Sequence, residues 1–445
     1  MFLTFIACVV AKITHGVLRL LKKGATSLPG VLALKICPDI LKRLSKGVNV
    51  IAVTGTNGKT TSCRMTEKAL QNAGKKVFSN RSGANLIGGI TTDFIMNANV
   101  FGKPKCDWAV IECDEATTPK VFPAIAPKAV IVTNLFRDQT DRYGGVLAPR
   151  DMIAKALNDS PETIVCINAD CPLTSSIADM INNKKVYFGM DCAKAAKLDE
   201  TESLECPVCG EKMSYSYATY SNLGGFSCPK CGAHRHDADV AITELLGANT
   251  FKLRVNGGMK VCEVKLPSIY NMYNAAGTIA AIGAAGLDTA PAFEAVRDFD
   301  CGFGRMERFN LGKKGAQMLL IKNTAAVNQT LEYISEQIGA KTVVFTMNNR
   351  AADGRDPGWL EDANFEILAE DDNIKEIIVG GEIAELLTER LKKAGLECRT
   401  QNDYALLIKE LEEKEEYIYI MPSYTAMLDL RQRLVNKLGG KNFWE

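Results

Sequence analysis

Residues 48–61 read VNVIAVTGTNGKTT, and this stretch decides the fold. Its first half, residues 48–54, is a β-branched apolar run typical of a buried strand, and residues 60–73 have the pattern of a helix that ends at the next glycine. A glycine-rich loop joins the two. Because Gly55 and Gly58 let backbone N–H groups approach an anion at the start of a helix, the stretch predicts a phosphate-binding loop.

The loop contains the residue types that a nucleotide phosphate needs. Lys59 would lie on the β- and γ-phosphates, and the Thr60 hydroxyl would bind the accompanying Mg²⁺. Val53 stands where the longer Walker pattern has its first glycine, so the loop is a shortened variant. An ordinary glycine-rich turn is the alternative, but the strand, the helix and the Lys-Thr pair together favour nucleotide binding. The candidate nucleotide-binding residues are Gly55, Thr56, Asn57, Gly58, Lys59, Thr60 and Thr61.

Short apolar runs recur after this unit and alternate with helical segments. Three of them lie at residues 107–112, 128–133 and 163–168. The alternation predicts an α/β fold with a mostly parallel sheet covered by helices. It starts again near residue 317, which predicts a second α/β domain. The glycine-rich stretch CGFGRMERF, residues 301–309, is the expected hinge.

Length and composition exclude several classes of protein. The chain has 445 residues, too many for one ordinary core, and its 47% hydrophobic and 24% charged residues are typical of a globular protein. The net charge of +1 gives no global field for nucleic acid or acidic lipid, and we expect no nucleic-acid partner. Most of the 15 cysteines are scattered without the spacing of a disulfide framework, which indicates a reducing cytoplasm.

The N-terminus is strongly apolar. An apolar run of about a dozen residues ends at Lys12, which is shorter than the ~20 residues that span a bilayer. The run lacks the basic start and the small-residue cleavage site of a signal peptide. We therefore expect a packed amphipathic helix and no transmembrane segment, with contact to a membrane surface as the alternative.

A carboxylate stands at the C-terminal end of the predicted strand at residues 107–112. Glu112 is followed closely by Asp114 and Glu115 in the sequence IECDEA. The ligand crevice of a parallel sheet lies at that edge, and a Mg²⁺–phosphate site needs a carboxylate there. We predict that Glu112 and Thr60 hold magnesium, with a solvated acidic loop as the alternative.

Four cysteines within residues 203–237 have metal-ligand spacing. Cys206 and Cys209 form one C-x-x-C pair and Cys228 and Cys231 form another, each within a CPxCG knuckle. Two such knuckles supply four thiolates for tetrahedral Zn²⁺ and leave no open position for a catalytic water. The segment predicts a zinc ribbon whose structural metal staples an insert that is too small for a core of its own. Redox pairs or free thiols are the alternatives.

Several motifs taken together resemble the Mur ligase family. They are TGTNGKTT (54–61), the strand-end Glu112, TNLFRDQTDRYG (133–144), INADCP (167–172), YNMYNA (270–275) and FGRMER (303–308). Gln139 stands where most Mur ligases have histidine. This variant, the cysteine insert and the C-terminal half resemble the MurT family, the ligase subunits of two-protein lipid II isoglutaminyl synthases. The resemblance runs from about residue 20 to the C-terminus.

This resemblance implies a division of the chain and a set of cofactors. An N-terminal helical segment would occupy residues 1–45, an ATP-binding central domain with the zinc ribbon residues 46–304, and a Rossmann-like α/β domain residues 305–445. The implied cofactors are ATP, Mg²⁺ and structural Zn²⁺. Asn271 would join the nucleotide-binding residues. Arg305 would reach the γ-phosphate when the domains close, with a salt bridge to Glu307 or a nearby acid as the alternative.

The resemblance also implies an activity. It is the ATP-dependent amidation of the α-carboxyl of D-isoglutamate in the lipid II stem peptide, through an acyl phosphate, in the cytoplasm at the inner face of the cell membrane. Such ligases draw ammonia from glutamine through a Cys–His glutaminase, yet His15, His234 and His236 have no convincing Cys partner in this sequence. A separate GatD-like glutaminase subunit is the implied partner.

An acidic stretch in the C-terminal half would serve that partner. Residues 347–366 read MNNRAADGRDPGWLEDANFE, and in the MurT family an aspartate of the DGxD segment is thought to orient the glutaminase histidine. Asp356 is the favoured residue and Asp353 the second, with an acidic surface loop as the alternative. PGWLED departs from the family's SWIWD pattern, and KNTAAVNQ (322–329) departs from KNPAG.

Two other functions compete with this hypothesis. One is an amino-acid-adding Mur or folylpolyglutamate-type ligase, which would need no glutaminase. The other is a non-catalytic nucleotide-binding scaffold whose cysteine insert binds a protein or RNA.

Overall fold

The computed structural model of the chain describes residues 2–21, 25–81, 83–136, 145, 147–192, 204–265, 268–299 and 304–439. Part of the TNLFRDQTDRYG motif, the first residues of the expected hinge and residue 203 of the expected insert lie outside the described residues. The chain divides into two compact units. The described residues up to Phe299 belong to the first unit, and those from Gly304 onward belong to the second.

The first unit is built on a nine-stranded sheet, in the order β11-β10-β9-β6-β5-β4-β1-β3-β2 as the strands are numbered below. Seven strands run parallel, and β10 and β11 form an antiparallel hairpin at one edge. A separate hairpin consists of β7 and β8. The predicted, mostly parallel sheet is therefore confirmed. The strands are β1 (Asn49–Thr54), β2 (Val77–Ser79), β3 (Trp108–Glu112), β4 (Ala129–Val132), β5 (Ile164–Asn168), β6 (Lys185–Met190), β7 (Ser214–Tyr220), β8 (Leu223–Ser227), β9 (Val240–Leu245), β10 (Thr250–Val255) and β11 (Gly258–Glu263).

Among the described residues, three helices of the first unit precede β1 in the chain, and the others alternate with the strands. The helices are α1 (Phe2–Leu20), α2 (Leu28–Ile36), α3 (Ile40–Leu44), α4 (Lys59–Asn72), α5 (Ile87–Met96), α6 (Thr118–Ile125), α7 (Ala148–Asn158), α8 (Pro172–Ile177), α9 (Ile269–Ala284) and α10 (Ala290–Arg297), with 3-10 turns at Glu115–Thr117 and Ala178–Met180. Helix α4 packs on β1, β2 and β3, and α9 packs on β4, β5 and β6. Strand β1 lies between β3 and β4 in the sheet, and its carboxyl end leads through the glycine-rich loop into α4.

The N-terminal helix α1 extends beyond the apolar run that ends at Lys12 and continues to Leu20. The Lys12 ammonium donates to the carbonyls of Ile95 (2.7 Å) and Ala98 (2.9 Å) at the end of α5. Within the described ranges, α1 is the one helix that is long and apolar enough to cross a membrane by length and composition. One side of α1 packs against α2 and α5.

The stretch FKLRVNGGMKVCEVKLP, residues 251–267, predicts a hairpin with a Gly-Gly turn, and the observed β10–β11 hairpin turns one residue earlier. Val255 pairs with Gly258, so Asn256 and Gly257 are the two turn residues, with φ of 51° and 72°. Two central residues with positive φ match the right-handed twist of the strands, and Asn-Gly is the preferred pair for that geometry. Gly258 instead begins β11.

The second unit is built on a six-stranded sheet. Its strands, which are numbered below, lie in the order β12-β13-β17-β14-β15-β16. Five of its strands run parallel, and only β12 is antiparallel to its neighbour. This is the second α/β pattern that the sequence predicted. The strands are β12 (Arg305–Phe309), β13 (Ala316–Leu319), β14 (Lys341–Thr346), β15 (Ile374–Gly380), β16 (Arg399–Thr400) and β17 (Tyr417–Pro422). The helices are α11 (Thr324–Ser335), α12 (Glu366–Ala369), α13 (Ala384–Lys393), α14 (Tyr404–Glu412) and α15 (Tyr424–Leu438), with a 3-10 turn at Gly358–Leu360.

Outside the four-cysteine insert, the described cysteines are free thiols. Cys63 and Cys166 are typical: both are buried, and burial raises the pKa of each thiol well above its ordinary value. Cys106 in the first unit and Cys398 in the second are only partly buried. The core thiols are therefore held protonated and unreactive.

Candidate active site

The loop between β1 and α4 is held in place from the end of β4. Asn134 accepts the Asn57 N–H on its side-chain oxygen (2.9 Å) and the Thr56 N–H on its carbonyl oxygen (2.7 Å). Gly58 caps α4 in the left-handed region, with φ of 85°. A Cβ there would lie 2.2 Å from Asn274 Oδ1, so the position requires glycine for both its conformation and its space. The loop is thus pre-shaped, with its backbone at the N-terminus of α4.

Lys59 is the first residue of α4, and its side chain is only 13% exposed. Its ammonium donates to the Glu115 carboxylate (2.9 Å) and to the Gly55 carbonyl. Burial alone would lower the pKa of Lys59, but the negative charges of Glu115 and Glu112 outweigh it and raise the pKa above its ordinary value. Lys59 therefore remains a cation inside the loop.

Thr60 and Glu112, the predicted magnesium pair, are in direct contact. Thr60 Oγ1 donates to Glu112 Oε2 at 2.7 Å. On the other side Asn80 exchanges two hydrogen bonds of 2.8 Å with the Glu112 backbone, and Asn85 Nδ2 lies 3.4 Å from Glu112 Oε1. Glu112 is buried. A hydroxyl and a carboxylate oxygen fixed this closely are the oxygen ligands that fit a hard cation such as Mg²⁺.

Helix α9 begins beside the loop. Its cap, Ser268, accepts the Asn271 N–H (3.3 Å), and Asn271 is buried as part of the first turn. Three residues later, Asn274 accepts a hydrogen bond from Ser62 Oγ of α4 (3.2 Å). Asn274 therefore lies beside Gly58 of the loop, and its side-chain N–H donates to Asn271 Oδ1 (3.4 Å) one turn earlier. The three-residue spacing of the two asparagines in YNMYN was the signal for a shared helix face.

Glu115 and Asn134 were also missed by the sequence analysis as loop contacts. Glu115 begins the 3-10 turn that follows the end of β3, and Asn134 follows the end of β4. Both places are at the carboxyl ends of strands that neighbour β1. The signal that would have identified both is therefore their position in the sheet, which depends on the strand order.

The four predicted zinc ligands come together. All four sulfur atoms of Cys206, Cys209, Cys228 and Cys231 lie within 4.8 Å of one another, and two of the pairs are 3.5 Å apart. A tetrahedral zinc with Zn–S bonds of about 2.3 Å requires sulfur atoms roughly 3.8 Å apart, so the cluster fits the ion. Backbone N–H groups of Cys231 and Lys230 lower the pKa of Cys228 to about 6, the direction that favours a thiolate ligand.

Neither histidine of the insert belongs to this cluster. His234 Nδ1 lies 2.8 Å from the Gly232 carbonyl oxygen, and the His236 ring stacks on Tyr187 with the centroids 4.6 Å apart. The group with the geometry of a metal site consists of cysteines alone among the described residues.

In the second unit, Asp353 and Asp356 lie in the loop after β14 and have different surroundings. Asp353 accepts the backbone N–H (2.7 Å) and the hydroxyl (2.6 Å) of Thr425 and the Arg350 N–H (3.1 Å). Asp356 is exposed and accepts the Gly358 N–H on one oxygen (2.8 Å). Its other oxygen accepts no hydrogen bond within the described ranges. Asp353 therefore holds the loop together, and Asp356 presents a carboxylate oxygen to solvent.

The two segments that depart from the family pattern touch each other. Asn323 caps α11 by accepting the Ala326 N–H (2.9 Å). Thr324, where relatives have proline, donates its hydroxyl to the Trp359 carbonyl in the PGWLED segment (3.2 Å). Because proline has no side-chain donor, a chain with proline at this position could not form this hydrogen bond.

Arg305 opens β12 in the second unit and pairs through its backbone with Leu319. The expected alternative, a salt bridge from Arg305 to Glu307, is not formed, because Glu307 makes a two-pronged ion pair with Arg431 at 2.8 Å for each bond. Arg305 has no ion pair in the part of the chain that the structure describes. Its proposed contact with a phosphate stays a prediction.

Comparison with known families and proteins agrees with this geometry. The family described as Mur ligase middle domain matches residues 53–282, and the family described as MurT ligase C-terminal matches residues 320–427. The chain is 33% identical to the lipid II isoglutaminyl synthase (glutamine-hydrolyzing) subunit MurT of Streptococcus pneumoniae, covering 98% of this chain and 97% of that one. It is 32% identical to the Staphylococcus aureus protein of the same name, covering 97% and 98%.

Solved structures share the fold at low sequence identity. A pseudomurein peptide ligase type C from Methanothermus fervidus superposes with a TM-score of 0.67 at 20% identity, covering 90% of this chain and 80% of that one. MurF ligase from Thermotoga maritima, solved in complex with ADP, gives a TM-score of 0.61 at 13% identity, covering 91% and 84%. Two relatives are more than 30% identical over nearly the full length of this chain, and the Mur ligase middle domain family matches more than half of its residues. The chain therefore belongs to the MurT family of Mur ligases and is an ATP-dependent ligase.

Proposed function

We propose that this chain is the ligase subunit of a lipid II isoglutaminyl synthase. It would convert the α-carboxyl of D-isoglutamate in the lipid II stem peptide into the carboxamide of D-isoglutamine at the expense of ATP. The relatives that carry this name match nearly the whole chain. The observation that carries the proposal is the contact of Thr60 with Glu112 at 2.7 Å beside the charged Lys59, in a chain whose C-terminal half matches MurT.

The loop supplies the groups that bind the nucleotide. The backbone N–H groups at the start of α4 would bind phosphate oxygens at the helix terminus, and Lys59 would exchange its contacts with Glu115 and the Gly55 carbonyl for phosphate oxygens. Thr60 and Glu112 would hold Mg²⁺, which when bound neutralises phosphate charge. Asn271 would complete the nucleotide site from α9.

The proposed chemistry has two steps. A carboxylate oxygen of the substrate attacks the γ-phosphorus of ATP, the bond to the bridging oxygen breaks and ADP leaves, which gives an acyl phosphate. Ammonia then attacks the carbonyl carbon, the C–O bond breaks, inorganic phosphate leaves and the nitrogen loses a proton. Lys59 would stabilise the charge on the transferred phosphoryl group in the first step.

A separate GatD-like glutaminase would supply the ammonia. His234 and His236 flank the cysteine cluster, and His15 lies on α1, where burial and then the charges of Arg19 and Lys12 lower its pKa. A nucleophilic cysteine needs an adjacent base, and these placements support a glutaminase site on another chain. The exposed carboxylate oxygen of Asp356 would orient the histidine of that partner, and we place Asp353 second because Thr425 already occupies both of its oxygens.

The cysteine cluster would hold a structural zinc. Four cysteines fill a tetrahedral coordination sphere, so no position is left for a reacting water. The insert around them has a small core that consists mainly of Cys206, Met213, Phe226 and Cys228. A core of that size supports the proposal that the metal is needed to fold the insert.

Mass spectrometry of lipid II after incubation with the chain, ATP, Mg²⁺ and an ammonium salt tests the proposal without a partner. Conversion of one carboxyl to a carboxamide is expected, and it should be absent with the Lys59→Ala chain. Addition of a whole amino acid when amino acids are supplied would identify an amino-acid-adding ligase instead. Unchanged lipid II under both conditions would favour the scaffold function.

A further inference from the structure

The outward side of α1 is apolar along its whole length. The residues on its packed side recur every three to four positions. They are Thr4, Ala7, Cys8 and Ala11, and all four are buried. On the opposite side Phe2, Ile13 and Leu20 are 75%, 61% and 85% exposed, and Val17 is 48% exposed. By helical spacing this outward arc also takes in Ile6 and Val9, and it carries no charged residue. A surface helix of a globular protein normally turns its polar residues outward, so α1 has the reverse arrangement.

A neighbouring turn extends this surface, which we call the α1 face. The Phe101 ring stacks on Phe5 with the centroids 5.4 Å apart, and Phe101 is 64% exposed. The turn is fixed because Asn99 Oδ1 accepts the N–H groups of Phe101 (2.9 Å) and Lys103 (3.0 Å). Contiguous exposed apolar surface held rigidly in this way marks a contact site and costs free energy when it faces water.

The N-terminal segment that carries the α1 face is rich in basic residues. Residues 1–48 contain eight basic residues and one carboxylate, Asp39, although the whole chain has a net charge of only +1. The basic residues are Lys12, Arg19, Lys22, Lys23, Lys35, Lys42, Arg43 and Lys46, of which Lys22 and Lys23 lie outside the described residues. The carboxylate of Asp39 is already paired with Arg43 at 2.8 Å.

Two contacts keep α1 on the body of the unit. The Lys12 ammonium is bound to the carbonyls of Ile95 (2.7 Å) and Ala98 (2.9 Å), and the small residues Ala7 and Ala11 are fully buried. A helix that crossed a bilayer would have to give up these contacts and leave its partners α2 and α5 exposed. The arrangement therefore favours a helix that lies along a surface over one that spans a membrane.

We propose that the α1 face binds the surface of an anionic lipid bilayer, with Phe2, Ile13, Val17, Leu20 and Phe101 entering the headgroup region and with the excess positive charge of residues 1–48 attracting the anionic headgroups. An apolar face and surrounding cations are the two elements that in-plane membrane helices combine. The proposal stands on this surface alone, and it would place the chain where a lipid-linked substrate is found if the proposed function is right.

Co-sedimentation of the full chain with phosphatidylcholine vesicles that contain about one third phosphatidylglycerol tests the proposal. We expect the chain to pellet with these vesicles, to pellet less with pure phosphatidylcholine, and to be released by salt. The double variant Ile13→Asp, Val17→Asp should bind at least about tenfold more weakly. Both side chains are exposed, so the variant should fold, which its thermal unfolding checks. The matched control is Ile338→Asp, because Ile338 is fully exposed in the second unit and should not affect binding.

Three results would overturn the proposal. One is a wild-type chain that stays in the supernatant with the anionic vesicles. Another is equal binding by the wild type and the double variant. The third is a change from dimer to monomer in the double variant by analytical ultracentrifugation, which would assign the α1 face to a second copy of the chain. Amidation of lipid II in detergent micelles, where no bilayer is present, tests the proposed function separately.

Discussion

Arg235 Nε donates to Asp170 Oδ1 at 2.6 Å, and this ion pair ties the cysteine insert to the segment after β5. Asp170 is fully buried, and its other oxygen accepts the Met190 N–H (2.8 Å) and the Tyr273 hydroxyl of α9. Arg235 also pairs with Asp191 at 2.8 Å. The insert is thus connected through one carboxylate to the helix that carries Asn271 and Asn274.

Replacement of Arg235 by leucine should destabilise the first unit. It removes the cation that compensates the buried Asp170 carboxylate, and breaking a buried pair from one side costs about 3 kcal/mol. Chemical denaturation of the variant measures the loss. Arg254→Leu is the control, since Arg254 also pairs with Asp191 but is 41% exposed. Equal effects of the two substitutions would contradict a special role for Asp170.

Removal of the metal should unfold the insert. We expect one zinc per chain by elemental analysis, and Cys206→Ser or a strong chelator should release it and lower the thermal unfolding midpoint, because the small cluster around Cys206 cannot fold without its cross-link. Cys398→Ser in the second unit serves as the control. Full metal content in the Cys206 variant would exclude the four-cysteine site.

Substitution of Lys59 by alanine should lower ATP turnover at least about a hundredfold, since a buried cation aimed at phosphate charge has no replacement in the loop. The rate of ADP formation measures this. Lys68→Ala is a matched control, because Lys68 lies on the exposed side of the same helix. ATP turnover at the wild-type rate in the Lys59 variant would remove the loop from the active site.

Substitution of Asp356 and of Asp353 by alanine should have different consequences. Asp356→Ala should lower glutamine-driven amidation in the presence of the glutaminase at least about a hundredfold and leave ammonium-driven amidation intact. Asp353→Ala should instead lower stability by about 2 kcal/mol, because the Thr425 and Arg350 donors lose their acceptor. Equal loss of both reactions in the Asp356 variant would move that residue out of the proposed partner site.

The stability of the first unit should fall as the pH rises through neutrality. Burial raises the pKa of Asp93 on α5 from 3.8 to about 7, and Asp93 Oδ2 has no hydrogen-bond partner within the described ranges. Because the folded state binds the Asp93 proton more tightly than the unfolded state, protonation of Asp93 stabilises the fold. This stabilisation is complete below about pH 4 and is lost as the pH rises through about 7. The free energy of unfolding falls by about 4 kcal/mol at most. Thermal unfolding between pH 5 and pH 8 should show a smaller decrease for Asp93→Asn than for wild type. The exposed Asp107→Asn should behave as wild type.

The parts of the site that lie close together in sequence could be predicted from it. The β1 run, the glycine loop and the Lys59–Thr60 pair are consecutive, so their local pattern fixes their arrangement. Glu112 could be placed because the carboxyl ends of parallel strands meet at one edge, and its contact with Thr60 agrees with that expectation. Each cysteine pair could be predicted because its knuckle is a local turn, whereas the β7–β8 hairpin joins the two knuckles in the chain.

Contacts that depend on the packing of distant elements could not be predicted. Asn134 and Glu115 reach the loop only because β4 and β3 flank β1, and that strand order is not written in local periodicity. Lys12 suggested the end of an apolar run, but its ammonium is bound by carbonyls of α5, more than 80 residues away in the chain. A long flexible side chain can lay its methylene groups along an apolar helix and still place its charged group against polar partners.

The uneven burial of the cysteines makes the chain suited to spectroscopic labelling. Core thiols such as Cys63 and Cys166 are shielded and protonated, whereas outside the four-cysteine cluster Cys106 and Cys192 of the first unit and Cys398 of the second are partly exposed. A thiol-specific probe should therefore favour these positions over the core, leaving the nucleotide loop unaltered. With Cys192 replaced by serine, a pair of probes on Cys106 and Cys398 would report the distance between the units directly and would show whether that distance changes when nucleotide is added.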